Sequence, residues 1–289
     1  MGRALEERLT PTVYCVEGLK ALEREAEQRG FCHCPVHIKI ETGLHRIGVR
    51  PGAELSEMID TLKRSKRLQL AGAYSHMISG ETLDYQLADK QFRIYMEGVE
   101  QLRAGGLDPG MLHFCNSGGA AWYKKGYLDG VRIGRGLYMG DPETLRGAPA
   151  FVDGCLAPEA GCWQCTVTSV NTLKKGDGIG YGHRLQAERD MQLAVICVGY
   201  GDGLNMELAA QGCPVLVGNN RARLIGACMD QSYVDVTDIP CKAGDTVTLF
   251  GRGPQGVCLP SQELAAAVSD EGVLLTNGLT HRVERVWTE

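Results

Sequence analysis

From residue 12 to residue 133, strand-like and helix-like segments alternate so regularly that the stretch fits only a parallel sheet or a barrel covered by helices. Thr12 to Val16 reads as a strand, Glu17 to Arg29 as a helix stopped by Gly30, and Val36 to Ile40 as the next strand. A helix over Ala53 to Arg64 leads into the strand Leu68 to Tyr74. Tyr85 to Ala104 puts Phe92, Tyr95, Met96, Val99 and Leu102 on one helical face and ends at Gly105-Gly106. Met111 to Cys115, a short helix after Ser117, and Val131 to Ile133 follow, giving five strands of the βα type. Around residue 141 the pattern changes. After the Pro- and Gly-rich stretch Asp141 to Ala160, strands succeed one another at Trp163 to Thr172, Met191 to Val198, Pro214 to Val217, Arg221 to Ile225, Tyr233 to Val236 and Thr246 to Phe250. Turn signals such as Lys175-Gly176-Asp177-Gly178 separate them, which predicts an antiparallel β-domain over 141–289 behind an α/β domain over 1–140. Only Ser261 to Val268 reads as helical in this half, with Ser261 as its N-cap.

Composition narrows the function classes. A chain of 289 residues, 44% hydrophobic and 22% charged, has the balance of an ordinary globular protein. Its net charge of -5 leaves no electrostatic footprint for nucleic acid, and the basic run Lys63-Arg64-Ser65-Lys66-Arg67 ends a predicted helix, where cations suit the dipole. No run of about eighteen apolar residues predicts a membrane helix, and Met1 to Arg8 has no signal-like apolar core. A cytoplasmic protein is the expectation. The twelve cysteines are scattered through predicted strands, so free thiols are expected. Cys162-Trp163-Gln164-Cys165, with Cys155 upstream, is the one metal-like spacing, and no second Cys-x-x-Cys or His pair completes it, so no metal is assigned.

In barrels of this kind the chemistry collects where strands end. That rule selects Lys39 and Glu41 to Arg46, then Tyr74-Ser75-His76, His113 to Ser117, and Arg132-Ile133-Gly134. Each is compatible with a satisfied structural group; their placement at corresponding ends of successive strands points them into one mouth. Ser117 beside Gly118 and Gly119, together with Gly134, offers the hydroxyl and backbone N–H donors that hold a phosphate. In the second half, the apolar run Met191 to Val198 enters Gly199-Tyr200-Gly201-Asp202-Gly203, whose glycines permit close backbone approach around a single tyrosine. The alternative there is a tight turn with an incidental aromatic.

His37-Ile38-Lys39-Ile40-Glu41-Thr42-Gly43-Leu44-His45-Arg46-Ile47-Gly48 resembles the Lys-x-Asp-Thr-Gly-x-x-Arg-x-Gly stretch of the alanine racemase family, fold-type III enzymes that use pyridoxal phosphate. Six further blocks follow in the family's order: Tyr74-Ser75-His76, Cys115-Asn116-Ser117, Val131 to Gly134, Gly199 to Gly203, Cys228-Met229-Asp230-Gln231, and Arg282-Val283-x-Arg285-Val286. The resemblance implies five C-terminal strands of a (β/α)₈ TIM-type barrel, followed by a mainly antiparallel β-domain carrying the catalytic tyrosine. It implies Tyr200 as the acid/base at the substrate α-carbon, Arg132 facing the pyridine nitrogen, and His76 linking the two. A phenol titrates near 10, so such a role near neutrality needs cations nearby. Tyr74, His76, Ser117, Arg132, Ile133 and Gly134 would hold the cofactor, and Arg46 and the Met229 backbone would meet the substrate carboxylate. Lys39, matching a lysine carbamylated in some members, would position Arg46, with Asp230 in support. The family also implies a head-to-tail homodimer with a shared active site.

Two departures stand beside the matches. The family's Schiff-base lysine belongs to an early Lys-Ala-x-x-Tyr-Gly-like stretch that nothing in this chain resembles, and a (β/α)₈ barrel typically takes about 250 residues. The expectation is a racemase whose N-terminal third lies outside this chain, inactive unless a complementing fragment supplies it; the alternative is a non-catalytic descendant that binds a phosphate ligand or a partner. Where the family usually carries a tyrosine, this chain has Val273, which leaves serine or a larger amino acid open beside alanine.

Overall fold

The computed structural model describes residues 1–80, 84–134, 136, 161–254, 256–268 and 272–287, the side chains of 272–274 excepted. The stretch Asp141 to Ala160 and the Val273 side chain therefore lie outside the described residues. Two compact units result, one built on Met1–Gly136 and one on the residues after 160.

In the first unit, α1 (Gly2–Glu6) precedes β1 (Thr12–Val13), α2 (Val16–Gln28), β2 (Cys34–Lys39), α3 (Ala53–Arg64), β3 (Leu68–Tyr74), α4 (Tyr85–Ala104), β4 (Met111–His113) and α5 (Ser117–Trp122). The expected first strand is shortened because Cys15 is already the cap of α2, its Sγ accepting from the Gly18 N–H at 3.4 Å. Valine, leucine and alanine at 16, 19, 22 and 26 then bury one stripe of that helix. The sheet runs β1-β2-β3-β4, every pair parallel and every neighbour consecutive in sequence. A doubly wound sheet would reverse its order somewhere; unbroken succession with a helix in each crossover is an arc of a (β/α) barrel. The fifth expected strand, Val131 to Ile133, is not one. Only an isolated parallel bridge from Gly130 to His113 and an Arg132 N–H to Cys115 carbonyl bond of 3.0 Å continue the ladder.

Sequence regularity becomes core on the helical side. Val36, Ile38 and Ile40 from β2 pack with Leu55, Met58 and Leu62 from α3 and with Tyr95, Val99 and Leu102 from α4. Tyr95 is fully buried and donates its hydroxyl to the Ala73 carbonyl at 2.7 Å, so the polar end of a core aromatic is satisfied. Phe92 and Met96 of the expected α4 face are only partly buried, and Gln91 takes a fully buried place on that face instead.

The second unit is an antiparallel barrel with an appended strand. Its strands are β5 (Trp163–Leu173), β6 (Gly178–Ile179), β7 (Leu185–Gln186), β8 (Met191–Ile196), β9 (Pro214–Val217), β10 (Asn220–Ala227), β11 (Ser232–Asp235), β12 (Thr246–Arg252) and β13 (Cys258–Leu259). The main sheet runs β13-β12-β5-β8-β11-β10-β9, and β9 also pairs with β12, which closes the ring and removes its open edges. β8 lies between β5 and β11 and is buried along most of its length, as its apolar run requires. Among the described residues three short α-helices interrupt the strands, where the sequence suggests one: α6 (Met206–Ala210), α7 (Ser261–Ala267) and α8 (Gly272–Asn277). The first and last are too short for a helical period to emerge from the sequence. Pro260, not Ser261, caps α7, and Ser261 is buried in its first turn. Among the described residues no helix is long and apolar enough to cross a membrane.

Candidate active site

Parallel register lines up the strand ends of the first unit. Lys39 on β2 is the Cα partner of Tyr74 on β3, and Tyr74 is the partner of His113 on β4. Registered partners in a sheet project to the same face, so three functional side chains stand in a row. The Tyr74 ring stacks on His113 with centroids 4.8 Å apart and planes 7° apart. Lys39 Nζ lies 5.7 Å and Arg132 Cζ 5.1 Å from the same ring's centroid, and the Tyr74 hydroxyl lies 3.1 Å from Thr12 Oγ1. A tyrosine face between two cations is favourable electrostatically.

The row is strongly cationic. Lys39 is only 4% exposed, and its pKa is held below the ordinary lysine value first by burial, then by the Arg46 charge. The Glu41 carboxylate opposes that, yet it is committed elsewhere, accepting the Gly43 N–H at 2.5 Å and the His45 N–H at 3.1 Å. Burial alone would raise the Glu41 pKa; the His45 and Gly43 N–H bonds bring it below the usual carboxylate range. Arg46 is exposed and forms no ion pair with Lys39, since both are cations in the unmodified chain.

Arg132 is anchored, though not by His76. Nη1 donates to His113 Nδ1 at 2.8 Å, and Nη2 donates to the Ser75 carbonyl at 2.7 Å and the Phe114 carbonyl at 3.2 Å. The His76 side chain is half-buried and sits within electrostatic reach of Arg132, Arg46 and Lys39, without a hydrogen bond to any of them among the described residues. Burial first, then those three cations, push its pKa down to about 4; burial, Arg132 and His37 do the same to His113. Both imidazoles are therefore neutral at pH 7. With folded pKa values of about 4 against ~6.5 in the unfolded chain, the unfolded state binds the extra protons first. Stability contributed by their neutrality is complete above pH 6.5 and is lost as pH falls toward 4. Urea unfolding midpoints measured from pH 8 to pH 4 should drop through that window, and replacing both histidines by asparagine should flatten the drop.

At the phosphate-like end, Ser117 Oγ accepts from the Gly134 N–H at 3.0 Å and the Gly136 N–H at 3.2 Å, so the hydroxyl and two backbone donors converge. Ile133 is exposed beside them. Gln91, absent from the sequence reading, holds the neighbouring loops in place: Nε2 donates to Thr42 Oγ1 and to the His76 carbonyl, while Oε1 accepts from the Ile78 N–H. Its signal was available, a glutamine on an otherwise apolar helical stripe.

The second unit presents Tyr200 on a one-turn 3₁₀ helix, 44% exposed. The close backbone approach that the glycines permit is to the protein's own chain. The Tyr200 N–H donates to the Cys228 carbonyl at 3.0 Å and the Gly201 N–H to the Met229 carbonyl at 2.7 Å, and a Cβ on Gly199 would overlap both carbonyls. Asp202 is buried and bonds the Gly199 N–H at 2.9 Å and Arg282 Nε at 2.7 Å. Thr280 closes the turn by donating its hydroxyl to the Gly201 carbonyl, and Asp230 adds its negative charge beside Arg282. Thus Asp202, Thr280 and Arg282 fix the position of Tyr200 and Met229, a role the sequence reading had not assigned them. At the metal-like spacing, Cys162 is exposed while Cys165 is half-buried with its thiol pushed up by burial, and Cys155 lies outside the described residues.

Comparison with known proteins gives the same frame. Residues 1–142 match the family model "Alanine racemase, N-terminal domain" and residues 160–287 match "Alanine racemase, C-terminal domain". An alanine racemase of Desulfovibrio desulfuricans is 31% identical over 97% of this chain and 73% of its own length. Among solved structures, an alanine racemase from Streptomyces coelicolor superposes with a TM-score of 0.88 at 26% identity, covering 99% of this chain and 74% of the other. A histidine racemase from Leuconostoc mesenteroides superposes at 0.81 and 27% identity, covering 99% and 74%. With both domain models matched in order and a relative at this identity, the chain belongs to the alanine racemase family.

Proposed function

We propose that this chain supplies the cofactor-holding residues and the tyrosine base of a pyridoxal-phosphate-dependent amino-acid racemase, with alanine as the substrate and residues 1–140 and 141–289 as its two domains. The observation that carries the reading is the in-register row of Lys39, Tyr74 and His113, with Arg132 across it and the Ser117, Gly134 and Gly136 donors beside it. The set fits pyridoxal phosphate: the Ser117 hydroxyl can donate to a phosphate oxygen, the Gly134 and Gly136 N–H groups that here donate to Ser117 Oγ lie beside it, and a permanent cation suits an aromatic nitrogen acceptor.

Bound there, the cofactor would supply the electron sink that lets an amino acid release its α-proton. The protein does the rest. Ser117, Ile133 and Gly134 hold the phosphate, Tyr74 and His76 line the site, and Arg132 keeps the ring nitrogen unprotonated because a guanidinium does not give up its proton. Tyr200 holds the proton exchanged at one face of the α-carbon, and His76 stays neutral within electrostatic reach of Arg132. Arg46 and the Met229 backbone orient the substrate carboxylate. A carbamate on Lys39 would replace its repulsion of Arg46 by attraction, and Asp230 supports the Tyr200 turn through Arg282. In a head-to-tail homodimer Tyr200 and Met229 serve the barrel of the other subunit, and a cytoplasmic setting suits the free thiols found among the described residues.

The lysine that carries the cofactor is assigned outside this chain, since Lys39 belongs to the later motif. On its own the chain should therefore form no borohydride-trappable adduct and racemise nothing; with the family's lysine-bearing segment supplied, it should exchange the α-proton of both alanine enantiomers with deuterated water. Exchange by the chain alone, abolished by Tyr200→Phe, would overturn the lysine assignment. Val273 leaves serine or a larger amino acid as the alternative substrate, and the same assay run across amino acids decides it. Joint retention of Tyr200, His76, Arg132 and Arg46 weighs against a non-catalytic descendant.

A further inference from the structure

We infer that His113 and His37 are positioning residues for Arg132, two neutral imidazoles in series whose tautomers are fixed by the guanidinium and which orient it without cancelling its charge. The inference deepens the proposed function and rests on it only for what Arg132 faces. His113 Nδ1 lies 2.8 Å from Arg132 Nη1, and His113 Nε2 lies 3.0 Å from His37 Nδ1. A guanidinium nitrogen can only donate, so His113 Nδ1 must accept. A neutral His113 then carries its proton on Nε2 and donates it to His37 Nδ1, which in turn places the His37 proton on Nε2. One observed arrangement fixes two tautomers.

The fold makes room for this pair. Gly72 stands in the middle of β3 without a left-handed backbone to explain it, and a Cβ there would run into the His37 ring. His37 is the Cα partner of Gly72, next to a register irregularity between Val36 and His37 that turns the ring toward β4. The His113 ring is further held by its stack on Tyr74.

A carboxylate would be the ordinary partner of a half-buried arginine. Among the described residues none forms an ion pair with Arg132, and the groups facing it, besides the histidines, are Tyr74, Tyr95, Cys115 and the cation Lys39. A neutral acceptor holds the guanidinium in direction and leaves its full charge for an anionic or lone-pair ligand. Burial and the Arg132 charge both keep His113 neutral, so the arrangement sustains itself. The Nε–H and the second Nη1–H of Arg132 have no acceptor among the described residues and are the donors left for that ligand.

The test needs no cofactor, so its failure and the failure of the racemase reading are separate results. Two-bond proton–nitrogen NMR on the full chain at pH 7 should show pyridine-like Nδ1 and pyrrole-like Nε2 on both rings. Guanidinium NMR should show slow rotation about the Arg132 Cζ–Nη bonds. His113→Phe keeps the stack on Tyr74 and removes the acceptor, and it should speed that rotation by at least about tenfold, the scale of losing one hydrogen bond to a charged group. His113→Asn restores an acceptor at the Nδ1 position and should return slow rotation, while Gly72→Ala should displace His37 and leave the Arg132 bond to His113. A protonated Nδ1 on His113, or His113→Asn as damaging to Arg132 as His113→Phe, would overturn the inference.

Discussion

Replacing Tyr200 by phenylalanine is expected to slow α-proton exchange from L-alanine by about 10² to 10⁴, the usual worth of a positioned general base, in a protein that contains this chain and the family's lysine-bearing segment. Exchange from D-alanine should fall far less, because the two bases serve opposite faces of the α-carbon. The structure makes this a clean substitution. The turn is held by backbone and neighbouring groups, namely the Cys228 and Met229 carbonyls, Thr280 and the Asp202–Arg282 pair, none of which touches the phenol oxygen. The hydroxyl has no hydrogen-bond partner among the described residues, so phenylalanine keeps the packing at little cost to the fold. Per-enantiomer exchange, followed by mass spectrometry in deuterated water, reads the result; equal loss from both enantiomers would make Tyr200 a structural residue of its turn.

Gly203→Ala should produce the largest loss of stability among substitutions near the tyrosine. Gly203 ends the 3₁₀ turn at φ 106°, a conformation that L residues rarely adopt, and a Cβ there would overlap the Gly278 carbonyl and crowd Leu279. Backbone strain costs about 1–3 kcal/mol and overpacking about 1–3 kcal/mol, so roughly 2–6 kcal/mol is expected. Gly134→Ala is the control, because its φ is not positive and nothing lies within 4 Å of where a Cβ would stand. Urea denaturation of both variants should show a lowered midpoint for Gly203→Ala and an unchanged one for Gly134→Ala. A small effect at Gly203 would mean that the Gly278–Leu279 segment yields.

Most element boundaries were legible because they depend on local chemistry. Gly30 and Gly105-Gly106 mark helix ends, and the apolar stripes of α2 to α4 mark their buried faces. The Val131 to Ile133 strand was misread because its composition suits a strand, whereas its pairing depends on a neighbour contributed by tertiary structure. α6 and α8 were missed because five or six residues carry no period. In the site, strand-end position selects Lys39, Tyr74, His76, Ser117 and Arg132, and parallel register, which turns sequence position into spatial adjacency, sets Lys39 beside Tyr74. The partners within the site were not legible. His76 is expected to link Arg132 to Tyr200; the imidazole to which Arg132 hydrogen-bonds is that of His113, which the parallel register sets beside Tyr74. The reasons for Gly72, Gly199 and Gln91 lie in contacts made dozens of residues away along the chain.

Equilibrium titration of the full chain with pyridoxal 5′-phosphate, read by cofactor fluorescence, tests most directly whether the strand ends of the first unit form a pyridoxal phosphate site. Saturable one-to-one binding is predicted, weakened at least about tenfold by Arg132→Ala and by Ser117→Ala, each of which removes a charge-assisted or phosphate-facing donor. Tyr200→Phe should leave it unchanged. Equal affinity in the wild type and in both first-unit variants would contradict a cofactor site at those strand ends.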